Sequence, residues 1–190
     1  MIILEKLARE TAGFTEAQFV AAYPHPALVF FPGSVQSSGS PFATEMDMKS
    51  THQGELTIDQ VLENYGQQQA ASRAPTGSAI TAKSALWFVA KSERNPFAQM
   101  ITVGRARNHD LVLGNATISK AHAYFTRAED GWKLNDQGAT NGTTVNGKRI
   151  PKNESLPLGQ GALVKFGSEV RALFQTPQGL YGLLTRKSLV

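Results

Sequence analysis

The sequence predicts a mainly β protein, a two-sheet antiparallel β-sandwich preceded by a short helical extension. Apolar residues recur at helical spacing near the N-terminus, but alternate with polar residues after about residue 78. Many short alternating segments separated by turn residues are typical of sandwiches and barrels. The pair Asn146-Gly147, which lies between two such segments, adds a strong hairpin signal because both residues tolerate a positive φ.

Two parts of the chain are expected: a helical, partly flexible extension over residues 1–78 and the sandwich domain over residues 79–190. The linker is assigned to residues 71–78, whose Pro and Gly interrupt regular structure. Residues 33–54 are rich in Gly, Ser, Pro and Thr without periodicity, so a mobile loop is predicted there.

Helical spacing of apolar residues predicts three helices in the extension: Ile3–Ala12, Glu16–Ala22 and Ile58–Gln69. Thr15 and Gln18 have the spacing of a capping box, and Phe14 with Phe19 that of a hydrophobic staple. A short buried strand is predicted over Ala27–Phe31. The helices are expected to pack together or onto the sandwich, which would bury Phe14, Phe19, Val61 and Leu62, or else to dock a partner protein.

The strands of the second part are predicted from alternation and bounding turn residues. They are Ala85–Ala90, Met100–Val103, Asp110–Leu113, Ala121–Thr126, Trp132–Leu134, Thr143–Val145, Lys148–Ile150, Ala162–Phe166, Val170–Phe174 and Leu180–Leu184.

Charge is distributed unevenly along the chain, whose net charge is +4. Residues 1–78 hold four Lys/Arg against eight Asp/Glu, and the remainder holds fifteen against seven. The basic second part suggests an anionic partner, although an ordinary solubilising surface explains the asymmetry equally well.

Composition excludes several classes of site. The chain has no cysteine, so it has neither a disulfide nor a thiolate nucleophile, and a reducing compartment is expected. Charged residues interrupt the first turns, which argues against a signal peptide or membrane anchor and predicts a cytoplasmic protein. The histidines lack metal-ligand spacing and no nucleotide-binding loop is present, so neither metal nor cofactor is expected.

Three polar clusters fall in turns of the β region: Gly104-Arg105, Ser119-Lys120-Ala121-His122 and Thr140-Asn141-Gly142. Their order and spacing resemble the forkhead-associated (FHA) domain, an eleven-strand sandwich that binds phosphothreonine peptides. The resemblance covers about residues 84–185. Each cluster alone is a weak signal, whereas three in order are strong evidence.

The resemblance implies roles for individual residues. Arg105, Ser119, Lys120 and Thr140 are expected to bind the phosphate, and Asn141 the main chain of the peptide. Three further residues are expected to hold the loops in place: Gly104, His122 and Gly142. Three others lie where specificity is determined in the family: Arg107, Asn115 and Thr117.

These residue types suit the expected ligand. A phosphothreonine carries roughly −1.5 to −2 charges and three strong acceptor oxygens, which require fixed cationic and hydroxyl donors. Arginine supplies a planar pair of donors and lysine a point charge. We therefore expect a non-catalytic phosphothreonine-peptide binding module in serine/threonine-kinase signalling, or a phospho-dependent adaptor, whose partners are a kinase or its substrate.

Other functions remain open on the residues alone. A phosphate-independent scaffold on the same fold is the main alternative. Nucleic acid is not expected as a partner, because the β region lacks an array of aromatic platforms interleaved with Arg and Lys. Self-association through the N-terminal segment is a further alternative, since phosphorylated Thr44 could occupy the pocket of its own or a neighbouring molecule.

Individual site residues also have structural interpretations. Arg105 could simply pair with Asp110 or Asp136 on the surface, and Ser119 could cap a turn. Ser119 and His122 do not indicate a nucleophile and its base, because no orienting third residue or oxyanion loop is evident.

Overall fold

The computed structural model describes residues 1–34, 80–152 and 154–185, which form a β-sandwich with helices on one outer face. The helices are α1 (Leu4–Glu10), α2 (Glu16–Ala22) and α3 (Pro177–Leu184). The strands are β1 (Ile2–Ile3), β2 (Ala27–Phe30), β3 (Ala85–Phe88), β4 (Ile101–Gly104), β5 (Leu111–Val112), β6 (Ala123–Ala128), β7 (Gly131–Asp136), β8 (Thr143–Val145), β9 (Lys148–Arg149), β10 (Ser155–Leu158), β11 (Ala162–Phe166) and β12 (Val170–Gln175). The predicted fold class and the N-terminal helices are confirmed.

The first sheet has seven strands in the order β1-β3-β2-β12-β11-β8-β9, and the second has five in the order β10-β7-β6-β4-β5. All pairings are antiparallel except that of β4 with β5, which is parallel. Apolar side chains from the two facing surfaces form the main core, which includes Phe125, Phe166 and Phe174. This core holds both sheets in fixed positions, so the loops at their ends have a rigid base.

The N-terminal segment is built into the first sheet. Strand β2 pairs with β12 on one side and β3 on the other, and β1 pairs with the outer side of β3. Residues 1–34 are therefore not a purely helical extension, because their backbone completes the sheet. The predicted helix Ile58–Gln69, the linker and the boundary near residue 78 lie outside the described residues, as does Thr44.

A second apolar cluster joins the helices to the outer face of this sheet. Leu4, Leu7 and Phe19 pack with Leu180 and Leu183, and all five side chains are buried. The predicted capping box is confirmed, since the Thr15 hydroxyl accepts from the Gln18 amide and the Gln18 side chain accepts in return. Phe14 remains 37% exposed, so its predicted burial is wrong.

The segment Leu180–Leu184 is a helix and not the predicted strand. Thr176 caps α3 by accepting from the Gly179 amide at 3.2 Å, and Pro177 occupies its first turn. Leu180, Leu183 and Leu184 then lie on one helical face against the sheet. Leucines spaced three and four residues apart after a Thr-Pro pair are the sequence pattern that indicates this helix.

Strand β10 was not predicted because Pro157 interrupts it. The strand lies at the edge of the second sheet and pairs with β7 alone. A proline is tolerated there, since its missing N–H can face away from the sheet. The hairpin at Asn146-Gly147 is confirmed, and both residues have positive φ, 50° and 80°.

Integration of the N-terminal segment predicts a large stability effect at Phe19. Phe19→Ala should lower the free energy of unfolding by about 3 to 5 kcal/mol, because it leaves a cavity between α2, α3 and the sheet. Urea denaturation of the full chain measures this effect. Phe14→Ala is the matched control and should cost less than about 1 kcal/mol; equal effects at both positions would contradict the packing described.

Candidate functional site

The three polar clusters meet at one end of the sandwich, where backbone hydrogen bonds connect the loops that carry them. The Arg105 amide donates to the Ser119 carbonyl at 2.9 Å, and the Ala106 amide donates to the Lys120 carbonyl at 3.2 Å. The Thr140 amide donates to the Ser119 hydroxyl oxygen at 3.1 Å. Residues 14 to 21 positions apart in sequence are thus brought into one surface region.

Arg105 follows β4 directly and is exposed. Its Nε donates to the Ile118 carbonyl at 3.1 Å, which orients the guanidinium beside the Ser119 segment. None of the four ion pairs found in the described ranges involves Arg105. Asp110 and Asp136, its alternative partners, are occupied by other donors. The cation is therefore available to a ligand.

Two hydroxyl groups lie next to each other in the same region. Ser119 Oγ and Thr140 Oγ1 are 3.4 Å apart. Thr140 is exposed and Ser119 is half-buried, so one anionic oxygen approaching from solvent could contact both. Lys120 is exposed on the adjacent position, and its carbonyl anchors the loop after Arg105.

Asn141 joins the third loop, which carries Thr140-Asn141-Gly142, to the second loop, which carries Ser119-Lys120-Ala121-His122. The first loop is the one that carries Gly104-Arg105. Nδ2 of Asn141 donates to the Thr117 carbonyl at 2.8 Å, while the residue remains exposed. The bond fixes the amide plane, and the side-chain carbonyl oxygen remains as an acceptor for a main-chain N–H.

His122 connects the loops from beneath and has no exposed surface. Its Nδ1 accepts from the Ser119 amide at 3.0 Å, and Nε2 lies 3.3 Å from the Gly142 carbonyl. These partners assign the neutral tautomer with the proton on Nε2. Burial lowers the pKa of His122, against the opposing effects of the Asp136 charge and the Gly142 carbonyl. Since the ring contacts the amide of Ser119, this bond does not activate the hydroxyl.

Two glycines allow these close contacts. A Cβ on Gly104 would overlap the Lys120 carbonyl and lie 2.6 Å from the His109 ring. Gly142 has φ +72°, and a Cβ there would lie 2.6 Å from Nη2 of Arg149. Glycine is therefore required at both positions for the loops to approach.

Asp136 stabilises the third loop by accepting hydrogen bonds within it. The sequence did not predict this structural role. Oδ1 of Asp136 accepts from the Gly138 and Ala139 amides at 2.8 and 2.9 Å. Its Oδ2 accepts from the Thr143 hydroxyl at 2.6 Å. An Asp two residues before a Gly at a strand end is the signal of such a turn.

Asp110 anchors the first loop in a similar way. Its side chain is buried and accepts from the backbone amides of Ser92 and Thr102, both at 2.7 Å, and from the Asn95 side chain. Burial alone would raise the pKa of this carboxyl, but the hydrogen bonds from Asn95, Thr102 and Ser92 together lower it.

Of the three residues predicted to determine specificity, Asn115 and Thr117 are hydrogen-bonded to each other, and Arg107 is exposed on another loop. Asn115 Oδ1 accepts from the amide and the hydroxyl of Thr117, and Asn115 Nδ2 donates to Glu169 at 2.9 Å. Both side chains thus shape their own loop next to Asn141. Arg107 is exposed on the first loop. Arg149, for which the sequence predicts no role, places its guanidinium over Gly142.

Comparison with known proteins identifies a family model over part of the chain. Residues 101–167 match the FHA domain, and this range contains all five residues predicted to contact the ligand. The resemblance inferred from the sequence is confirmed for this segment. Among the described residues, none of the helices is long and apolar enough to span a membrane.

Curated relatives match the same region of the chain. An oxoglutarate dehydrogenase inhibitor of Corynebacterium jeikeium is 41% identical over 64 residues, which cover 34% of this chain and 42% of that protein. A human angiogenic factor with G patch and FHA domains is 42% identical over 77 residues, covering 36% of this chain and 11% of that protein. The chain thus spans less than half the length of these relatives.

Two solved structures match part of this chain. The FHA domain of an Arabidopsis thaliana protein is 29% identical with a TM-score of 0.39, covering 40% of this chain and 66% of that one. Mycobacterium tuberculosis EmbR, solved with a low-affinity phosphopeptide, is 26% identical with a TM-score of 0.38, covering 42% of this chain and 20% of that one.

The burial of His122 predicts how stability depends on pH. Because folding lowers its pKa, the unfolded chain takes up the proton first as the pH falls through about 6.5. The free energy of unfolding should therefore decrease between pH 7.5 and 5.5, as measured by urea denaturation. His122→Gln should flatten this decrease and lower stability at pH 7.5. His25→Gln, at an exposed position, should retain the wild-type slope; an unchanged slope in His122→Gln would contradict the assignment.

Proposed function

We propose that this chain is a non-catalytic phosphothreonine-peptide binding module, acting in serine/threonine-kinase signalling or as a phospho-dependent adaptor. The observation that carries the proposal is the convergence of one available guanidinium and two adjacent hydroxyls on a rigid surface region, at Arg105, Ser119 and Thr140. The FHA match over residues 101–167 supports the same ligand class.

Each side chain has a role that its chemistry permits. Arg105 donates to two phosphate oxygens, and the hydroxyls of Ser119 and Thr140 donate to the third or share one of these. Lys120 adds a positive charge at the rim, where it can turn toward the phosphate. Asn141 binds the main chain of the peptide through its remaining acceptor.

The rigidity of the loops favours binding of an anion. His122, Gly104 and Asp136 fix the three loops before the ligand arrives, so little ordering entropy is lost on binding. Charge-assisted hydrogen bonds contribute about 1.5 to 3 kcal/mol each, whereas micromolar affinity requires about 8 kcal/mol. The phosphate contacts therefore supply a large part of the affinity, and main-chain contacts through Asn141 supply the rest.

We assign the choice of ligand residues next to the phosphothreonine to three side chains of the first and second loops. Arg107 is exposed on the first loop, and Asn115 and Thr117 form the adjacent wall. A phosphorylated kinase or kinase substrate is the expected partner. Occupation of the pocket by a phosphorylated N-terminal segment of a second copy is a further proposal, and its Thr44 lies outside the described residues.

The test is a binding experiment with an oriented library of phosphothreonine, phosphoserine and unphosphorylated peptides. Wild type should bind a subset of phosphothreonine peptides, and Arg105→Ala should weaken this binding by about 2 to 5 kcal/mol, since a phosphate is left without its partner. Isothermal titration calorimetry measures the difference.

Lys83→Gln is the control, because it removes one positive charge at an exposed position outside the three loops. Its affinity should match that of wild type. If phosphorylated and unphosphorylated peptides bound equally well, the phosphate-independent scaffold would be the correct function instead.

A further inference from the structure

The turn between β11 and β12, residues 167–169, contacts two of the three loops that form the proposed site. The Gly167 amide donates to the Gly142 carbonyl of the third loop at 2.9 Å. A Cβ on Gly167 would lie only 2.7 Å from the Thr117 carbonyl oxygen, so the backbone of the turn also lies close against the segment that leads into the second loop. The turn is therefore a fourth loop of this surface region.

Glu169 extends the contact through its side chain. Its Oε2 accepts from Nδ2 of Asn115 at 2.9 Å, which joins two residues 54 positions apart in sequence. The carboxylate forms no ion pair with any described residue. A negative charge beside a phosphate site repels the phosphate. Any benefit that Glu169 gives to binding must therefore come through Asn115.

The carboxylate constrains the orientation of the Asn115 amide. An ionised carboxylate only accepts hydrogen bonds, so it must face Nδ2 of Asn115 and not Oδ1. The Oδ1 atom then faces the chain that follows, where it accepts from the Thr117 amide at 2.8 Å and from the Thr117 hydroxyl at 2.7 Å. The planar amide of Asn115 is thus held at both ends.

Thr117 connects Asn115 to the third loop. Its amide and hydroxyl are held by Asn115, and its carbonyl accepts from Nδ2 of Asn141 at 2.8 Å. This bond turns Nδ2 of Asn141 toward the segment before the second loop, so Oδ1 on the same planar group is turned away from it. That Oδ1 is the acceptor proposed to bind a main-chain N–H of the ligand.

We propose that Glu169 is a positioning residue for the peptide-binding amide of Asn141 and acts through Asn115 and Thr117. The inference rests on the proposed function, because that function assigns the ligand main chain to Asn141. Glu169 does not touch the ligand. It favours binding because the Asn141 amide is fixed before the ligand arrives, so less ordering entropy is lost on binding.

The test compares Glu169→Ala with Glu129→Ala in the full chain. Glu129 is an exposed carboxylate in the β6–β7 turn, at the end of β6 away from His122. Isothermal titration calorimetry measures the affinity for one phosphothreonine peptide chosen from the library. Glu169→Ala should bind it about three- to tenfold more weakly than wild type, as expected for one charge-assisted hydrogen bond at an exposed position. Glu129→Ala should bind as wild type does.

The sign of the effect separates positioning from charge. If only its charge mattered, removing the Glu169 carboxylate would strengthen phosphopeptide binding. Glu169→Gln also removes the charge but keeps a carbonyl oxygen that accepts from Nδ2 of Asn115, so it should bind at least as tightly as wild type. Tighter binding by Glu169→Ala than by wild type would overturn the inference.

Double-mutant cycles test whether Glu169 acts through Asn141. In an Asn141→Ala background, Glu169→Ala should cause no further loss of affinity, because the amide that it positions is absent. In a Lys120→Ala background, which lacks a charge proposed to face the phosphate, Glu169→Ala should cause the same fold loss as in wild type. A full further loss in the Asn141→Ala background would show that Glu169 acts by another route and overturn the inference.

The outcomes separate this inference from the proposed function. If wild type binds the phosphopeptide and Glu169→Ala binds it equally well, the positioning role is overturned and the phosphothreonine site stands. If wild type binds no phosphothreonine peptide, both are overturned.

Discussion

The functional region depends on one buried ring. His122 accepts from the Ser119 amide and donates to the Gly142 carbonyl, so a single neutral imidazole holds two loops at a fixed separation. The Gly142 carbonyl also accepts from the Gly167 amide at 2.9 Å, which ties the same point to the β11–β12 turn. Because both ring nitrogens of this buried side chain are hydrogen-bonded, the ring has one allowed position. The two loops bonded to the ring are therefore fixed relative to each other.

Two aspartates stabilise the first and third loops of the site. Asp110 holds the first loop and Asp136 the third, each by accepting several hydrogen bonds within its own turn. Gly104 permits the close approach of the first and second loops. Each loop is thus stabilised by polar side chains that are largely buried, and the donors Arg105 and Thr140 are exposed. This division of roles explains how a β-sandwich presents a precise anion site on loops.

The sequence predicted the sandwich and the site loops well, because alternation, turn residues and three ordered clusters agree on one fold. It failed where a longer-range constraint decides local structure. The segment Leu180–Leu184 is helical because Thr176 caps it and the sheet covers its apolar face. Likewise, the sequence predicted β2 as a buried strand but not its place in the first sheet, which depends on its pairing with β12, more than 140 residues later. Arg149 lies over Gly142 because of the register in which β9 pairs with β8, and no local sequence pattern specifies that register.

The most direct measurement of the central account is an NMR titration of the full chain with a phosphothreonine peptide, following backbone amides. The amides of Arg105, Ser119 and Thr140 should shift together with a single dissociation constant, because His122 and its partners make the three loops one rigid receptor. The unphosphorylated peptide should leave these signals unchanged. Shifts confined to one loop, or shifts with different midpoints in the three loops, would contradict a single phosphate site.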